Sequence, residues 1–110
     1  MTDIAKSQWA EVASRLSRAL EGQGVDIEVA GLGIGDQHEV EWAPLRGLAY
    51  DPKSDLFEVD VDGMDHLIRS PKSLELQQDG AGLKSLAIGV AGGVRHILRF
   101  RAPLQLGSRG

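Results

Sequence analysis

Three histidines have the widest chemical reach in this chain: His38, His66 and His96. A neutral imidazole can ligate a metal or move a proton near neutral pH. His38 alternates with Val40 and Trp42, His66 with Met64 and Ile68, and His96 with Val94, Leu98 and Phe100. Residues two apart on a strand share a face. All three rings are therefore expected on the apolar side of a sheet, each near a strand start. A curled sheet could bring them together as a metal or acid–base site, since a catalytic zinc takes about three protein ligands and keeps one position open. The competing expectation is three separate histidines, each hydrogen-bonded locally, because no His-x-His pair is present.

Arginines form the second group. Arg95, Arg99 and Arg101 share the strand face opposite Leu98 and Phe100. They could bind an anion or a protein partner. They could also neutralise acids within the chain. Residues 21–65 carry twelve acidic and two basic side chains, whereas residues 66–110 carry two acidic and seven basic. Pairing the late basic strand with Asp26 and Glu28 would set the last strand beside the first and close the sheet. A third expectation is an exposed edge that pairs with a second copy of the chain.

Other motifs are incomplete. Gly31-Leu-Gly-Ile-Gly35 follows a strand pattern, but a dinucleotide turn needs G-x-G-x-x-G opening a helix, and a strand pattern follows here. Glu58-Val-Asp-Val-Asp62-Gly63 spaces oxygens as a calcium loop does, but Arg69 stands where the closing bidentate glutamate belongs. Nothing resembles the G-x-S-x-G nucleophile elbow. There is no cysteine, which removes thiol catalysis, disulfides and cysteine-ligated zinc. No catalytic residue and no cofactor is assigned.

These side chains need a frame. Trp9, Val12, Ala13, Leu16 and Leu20 make one helical stripe. A helix is expected over about residues 7–21, with Ser7 as N-cap, Glu11 paired to Arg15, and Gly22 and Gly24 as the stop. From residue 25 the period becomes two. Val25, Ile27 and Val29 alternate with Asp26 and Glu28. A second run holds His38, Val40 and Trp42, closed by Pro44 because proline cannot donate to a ladder. Leu45 to Tyr50 is a further strand. Phe57, Val59 and Val61 follow, with Asp62-Gly63 as a tight turn. Strands near residues 66–69, 74–76, 83–90 and 94–102 complete the pattern.

The expected fold is α+β: one N-terminal amphipathic helix packed on a curled antiparallel β meander of about seven strands, tending to a partly open barrel. At 110 residues it is one domain, residues 1–110. The meander spans about residues 25–103, and residues 104–110 form a frayed tail.

The order of segments resembles a bacterial family of uncharacterised proteins, domain-of-unknown-function family 5335. The matching pieces are Trp9, Val25-Asp-Ile-Glu-Val29, Pro44-Leu-Arg-Gly-Leu48, His66-Leu-Ile-Arg-Ser-Pro71, Leu74-Glu-Leu76, Leu83-Lys-Ser-Leu86 and Ile97-Leu-Arg-Phe-Arg-Ala-Pro103. The resemblance implies one bacterial domain and supplies no site.

Composition narrows the partners. A net charge of −4 and only five aromatic residues argue against nucleic acid, which needs a basic footprint or stacking platforms. No apolar run approaches the roughly 20 residues that span a bilayer, and no secretory signal is visible at the start. The functional expectation is a non-enzymatic cytoplasmic protein-interaction domain that binds another protein or itself. The alternative is a small-molecule, anion or metal-binding barrel, conceivably an enzyme, using His38, His66 and His96.

Overall fold

The computed structural model describes residues 2–31, 33 and 35–104; the side chains of residues 36, 38 and 40 lie outside that description. The chain opens with a two-residue strand β1 (Thr2–Asp3), a 3-10 turn (Lys6–Gln8) and helix α1 (Trp9–Leu20). Seven longer strands follow: β2 (Gly24–Gly31), β3 (Gly35–Asp51), β4 (Leu56–Val61), β5 (Met64–Arg69), β6 (Ser73–Asp79), β7 (Gly82–Gly89) and β8 (Arg95–Leu104). All pairings are antiparallel, in the order β1-β6-β7-β8-β2-β3-β4-β5. Two meander runs, β2 to β5 and β6 to β8, are thus joined by the β8–β2 pairing. That pairing is the one the charge asymmetry predicts. It does not close the sheet, because β2 and β8 both have a neighbour on their other side, and the free edges fall at β1 and β5.

The helix forms as its stripe requires. Trp9, Ala13, Leu16 and Leu20 are buried, and each large side chain withdrawn from water contributes about 1.5–3 kcal/mol. Ser7 is not the N-cap: it lies in the 3-10 turn, and Gln8 caps α1 without a side-chain bond. The expected Glu11–Arg15 pair forms at 3.0 Å. Gly22, with φ of +83°, takes the chain out of the helix in a conformation glycine adopts without strain. The helix is anchored on β3. Ser17 Oγ accepts a bond from the Leu48 amide at 3.0 Å. Trp9 meets Tyr50 edge-on at 5.2 Å between centroids, and its indole N–H donates to the Ile4 carbonyl at 2.8 Å.

β3 departs most from expectation. Pro44 does not end a strand; it sits inside a 17-residue one. It marks the point where β3 leaves β2 and joins β4: Pro44 aligns with Gly24, and Leu45 with Val61. A proline is tolerated there because its missing N–H falls at the change of partner. Upstream, β3 bulges twice against β2. Ile27 aligns with Val40 while Glu28 aligns with His38, so Glu39 is the extra residue. Glu41 and Trp42 together face Asp26 in the interval between Val25 and Ile27. Trp42 takes a positive φ of 52° and is exposed, with the Arg101 guanidinium over its ring at 5.4 Å. Bulges rotate strand faces, which is why Trp42 is not on the apolar side. Leu104 belongs to β8, and the rest of the expected tail, residues 105–110, lies outside the described residues. No helix among the described residues is long and apolar enough to cross a membrane.

Candidate functional site

The sheet brings two of the three histidines together. His66 lies on the inward face of β5, opposite Val59. His96 is the second residue of β8 and lies between Ile88 of β7 and Val29 of β2. Curling carries β5 over the start of β8, and His66 Nε2 lies 2.9 Å from His96 Nδ1. The ring centroids are 5.0 Å apart. That is close to the nitrogen–nitrogen distance plus one ring radius at each end, so the two nitrogens aim nearly at each other. This is the geometry of one shared proton, donated by one ring and accepted by the other, rather than of two lone pairs converging on a metal. Burial pushes both imidazoles below their ordinary pKa, and for His96 the neighbouring His66 adds to the fall. The Glu39 carboxylate opposes both shifts. Glu39 reaches this neighbourhood as the bulged residue of β3, a placement invisible in an uninterrupted alternation of types.

His38 takes a different position. In backbone register it faces Glu28, whereas Val29, the next residue of β2, faces His96. Its side chain lies outside the described residues. Among the described residues no cluster of three or more His, Asp or Glu is placed to hold a metal.

The arginine stripe lies on the opposite face of the sheet, and its charges meet acids. Arg99 Nη1 donates to Glu28 Oε1 and lies 3.6 Å from Asp26 Oδ2. Asp26 and Glu28 are only 4% and 6% exposed. Arg95 donates to Glu75 at 3.0 Å. A shallow cleft of about 130 Å³ lies between these pairs, lined in part by Gln77, Ser85 and Ile97, and Ser85 Oγ donates to Gln77 across it at 3.2 Å. Arg101 stands apart from the pairs, stacked on Trp42.

A third feature was not anticipated. Between α1 and β6 runs an open groove of about 720 Å³, with Val12, Leu16, Ala19 and Leu76 as its apolar walls and Arg15, Arg18 and Gln78 at its rim. β1 pairs with β6 only at Glu75 and Leu76, and the Ile4 amide donates to Leu74 O at 2.8 Å. Residues 77–79 of β6 have no strand on that side among the described residues. The groove arises because α1 packs chiefly on β3 and stands off β6.

Fold and sites together define an α+β domain with an open antiparallel sheet, whose chemically active side chains are largely paired with one another. The chain belongs to the family of unknown function DUF5335, whose model matches residues 1–109. An uncharacterised protein of Aquifex aeolicus (strain VF5) is 38% identical over 104 residues, covering 94% of each chain. No solved structure matches the chain.

Proposed function

We propose that the chain is a non-enzymatic protein-interaction domain that holds an extended segment of another protein in the groove between α1 and β6. The observation that carries this reading is the edge of β6, where the chain's own Thr2 and Asp3 already dock as a short strand and residues 77–79 continue beyond them. An added strand gains main-chain bonds from such an edge, and alternate side chains reach the groove beside it. The rim chooses the partner's charge. Arg18 bonds only the Ser14 hydroxyl among the described residues, and Arg15 holds Glu11 in an exposed pair, so a segment alternating apolar and acidic residues fits. The reading places the domain in the cytoplasm, with which a cysteine-free chain is compatible, and gives it no nucleic-acid partner.

The paired groups support the same reading. Each of His66, His96, Arg95 and Arg99 engages a neighbour through one of its nitrogens, as expected of groups that hold the sheet together. The test is titration of isotope-labelled protein with a synthetic peptide alternating valine and aspartate, beside its valine–lysine counterpart. Amide shifts confined to α1, β1 and β6, weakened by salt and by Arg18→Glu, are expected for the acidic peptide. Equal response to both peptides, or shifts centred elsewhere, would overturn the reading.

A further inference from the structure

At the far end of the sheet, β5 is an edge along its whole length. It pairs with β4 on one side, and among the described residues no strand pairs with the other. Asp62 and Gly63 form a two-residue turn, and Val61 aligns with Met64 to close the hairpin. A two-residue hairpin closes on a hydrogen-bonded pair, and such pairs then alternate along the ladder. Met64, His66 and Ile68 therefore turn their backbone groups to β4. Asp65, Leu67 and Arg69 turn theirs to the free edge. Edge strands that remain unpaired are usually short, bulged or heavily charged. This one carries Leu67, 45% exposed, at the centre of the outward three.

We propose that β5 pairs antiparallel with β5 of a second copy of this chain, with Leu67 on the two-fold axis. Opposite residues in an antiparallel pair share a face. In this register Leu67 meets the partner's Leu67, and Asp65 meets the partner's Arg69 on each side of the axis. The outward backbone groups of Asp65, Leu67 and Arg69 face their equivalents, so the main-chain bonds and the side-chain register agree. Other symmetric registers lose the charge match: moving the axis to Asp65 opposes two aspartates, and moving it to Arg69 opposes two arginines.

The charges within one chain point the same way. Asp60 and Asp65 are directly opposed on β4 and β5, and like charges in that position destabilise a ladder. Arg46 is engaged with Asp62 at 3.4 Å. Arg69 makes no ion pair among the described residues. Arg46 also offsets Asp60 in part, and the second copy brings Arg69 to Asp65, the other member of the acidic pair. The eight-strand sheets of the two copies then join edge to edge into one of sixteen strands. The contact is short for a permanent dimer, so association depends on concentration. This proposal stands on β5 and is independent of the groove beside β6.

Sedimentation analysis from micromolar to near-millimolar protein tests it. The wild type is expected to pass from monomer to dimer. Arg69→Asp alone and Asp65→Arg alone each oppose like charges twice and are expected to stay monomeric. Mixed together, they oppose aspartate to arginine at both positions and are expected to form a one-to-one heterodimer. Circular dichroism melting confirms that each variant is folded, and Leu67→Asp serves as a second disruptive change. A wild type that stays monomeric overturns the proposal, as does a dimer indifferent to these substitutions or a mixture that fails to associate. None of these results bears on peptide binding at β6.

Discussion

Replacing Arg99 measures how far the charge asymmetry of this chain is spent on holding it together. Arg99→Met keeps most of the aliphatic stem and removes the cation shared by Asp26 and Glu28, whose side chains are 5% and 7% exposed. Removing one member of a buried pair costs about 3–5 kcal/mol, because the charge left behind has lost its compensation. The Arg99 side chain is 44% exposed, so water screens part of the interaction. The expected cost falls to about 2–3 kcal/mol. For a chain of this size roughly 4 °C accompanies each kcal/mol, so the midpoint of thermal unfolding should fall by about 8–12 °C on that scale.

A double-mutant cycle separates pairing from packing. Glu28→Gln alone should cost about 1 kcal/mol, since Arg99 keeps Asp26. The double variant should be more stable than the sum of the two losses predicts, by about 1–2 kcal/mol of coupling. Urea denaturation of the four proteins gives the cycle. A loss under about 0.5 kcal/mol for Arg99→Met, the range of an ordinary surface change, would refute the reasoning. So would sulfate stabilising the wild type but not the variant, because the arginine would then be a free anion site.

Three further outcomes follow from other contacts. Burial lowers the pKa of His66 and His96, so the unfolded chain binds more protons in the window below its value of about 6.5. Stability should be full above that pH and fall as pH drops through the lowered values, and His66→Gln with His96→Gln should flatten the profile measured by urea unfolding. Tyr50 is raised to about 12 by burial and its 2.6 Å bond to Asp55. Its contribution is full below about pH 10 and lost as pH rises through the folded value, and Tyr50→Phe should remove that alkaline loss in a thermal melt. Trp9→Ala should cost about 3–5 kcal/mol by emptying the site between Tyr50 and Phe57, whereas Trp9→Phe should cost less and chiefly release the Ile4 carbonyl, read by hydrogen exchange at β1 and β6.

The elements that rest on local pattern were legible. The helical stripe placed Trp9, Ala13, Leu16 and Leu20 in the core because a 3.6-residue period admits one buried face. Asp62-Gly63 announced the β4–β5 hairpin. The β8–β2 pairing was legible from charge, since Arg99 needs acids and Asp26 and Glu28 lie on an early strand. The alternation of Leu98 with Phe100, and of Ile68 with Met64, set His96 and His66 inward, and they meet. What failed was continuity. Residues 38–42 alternate without a break, and nothing in residue type marks Glu39 or Trp42 as bulged, because a bulge is set by what the neighbouring strand must pair with. Pro44 read as a stop because a proline costs one ladder bond, and it costs none where the strand changes partner. The groove beside β6 had no sequence signal, as it depends on where a helix stands relative to a strand far along the chain.

Charge links these outcomes. The acidic half and the basic half of the chain meet at the β2–β8 seam, where Arg99 offsets one of the two negative charges of β2. The second acidic run, on β4, β5 and the turn between them, lies at the other end of the sheet order from β6 to β8, where Arg46 meets Asp62 and partly offsets Asp60. The excess negative charge of the chain therefore concentrates on the outer face of β4 and β5, while exposed cations remain on α1. A closed barrel would have set β5 beside another strand and fixed its charge partner within the chain. Because β8 pairs with β2 instead, the sheet ends at β5 with Asp65 and Arg69 both outward and neither satisfied by the other, being on one strand. A strand cannot pair with itself, but it can pair with its copy running the other way. The open sheet thus turns an unbalanced charge pattern within one chain into a balanced one between two.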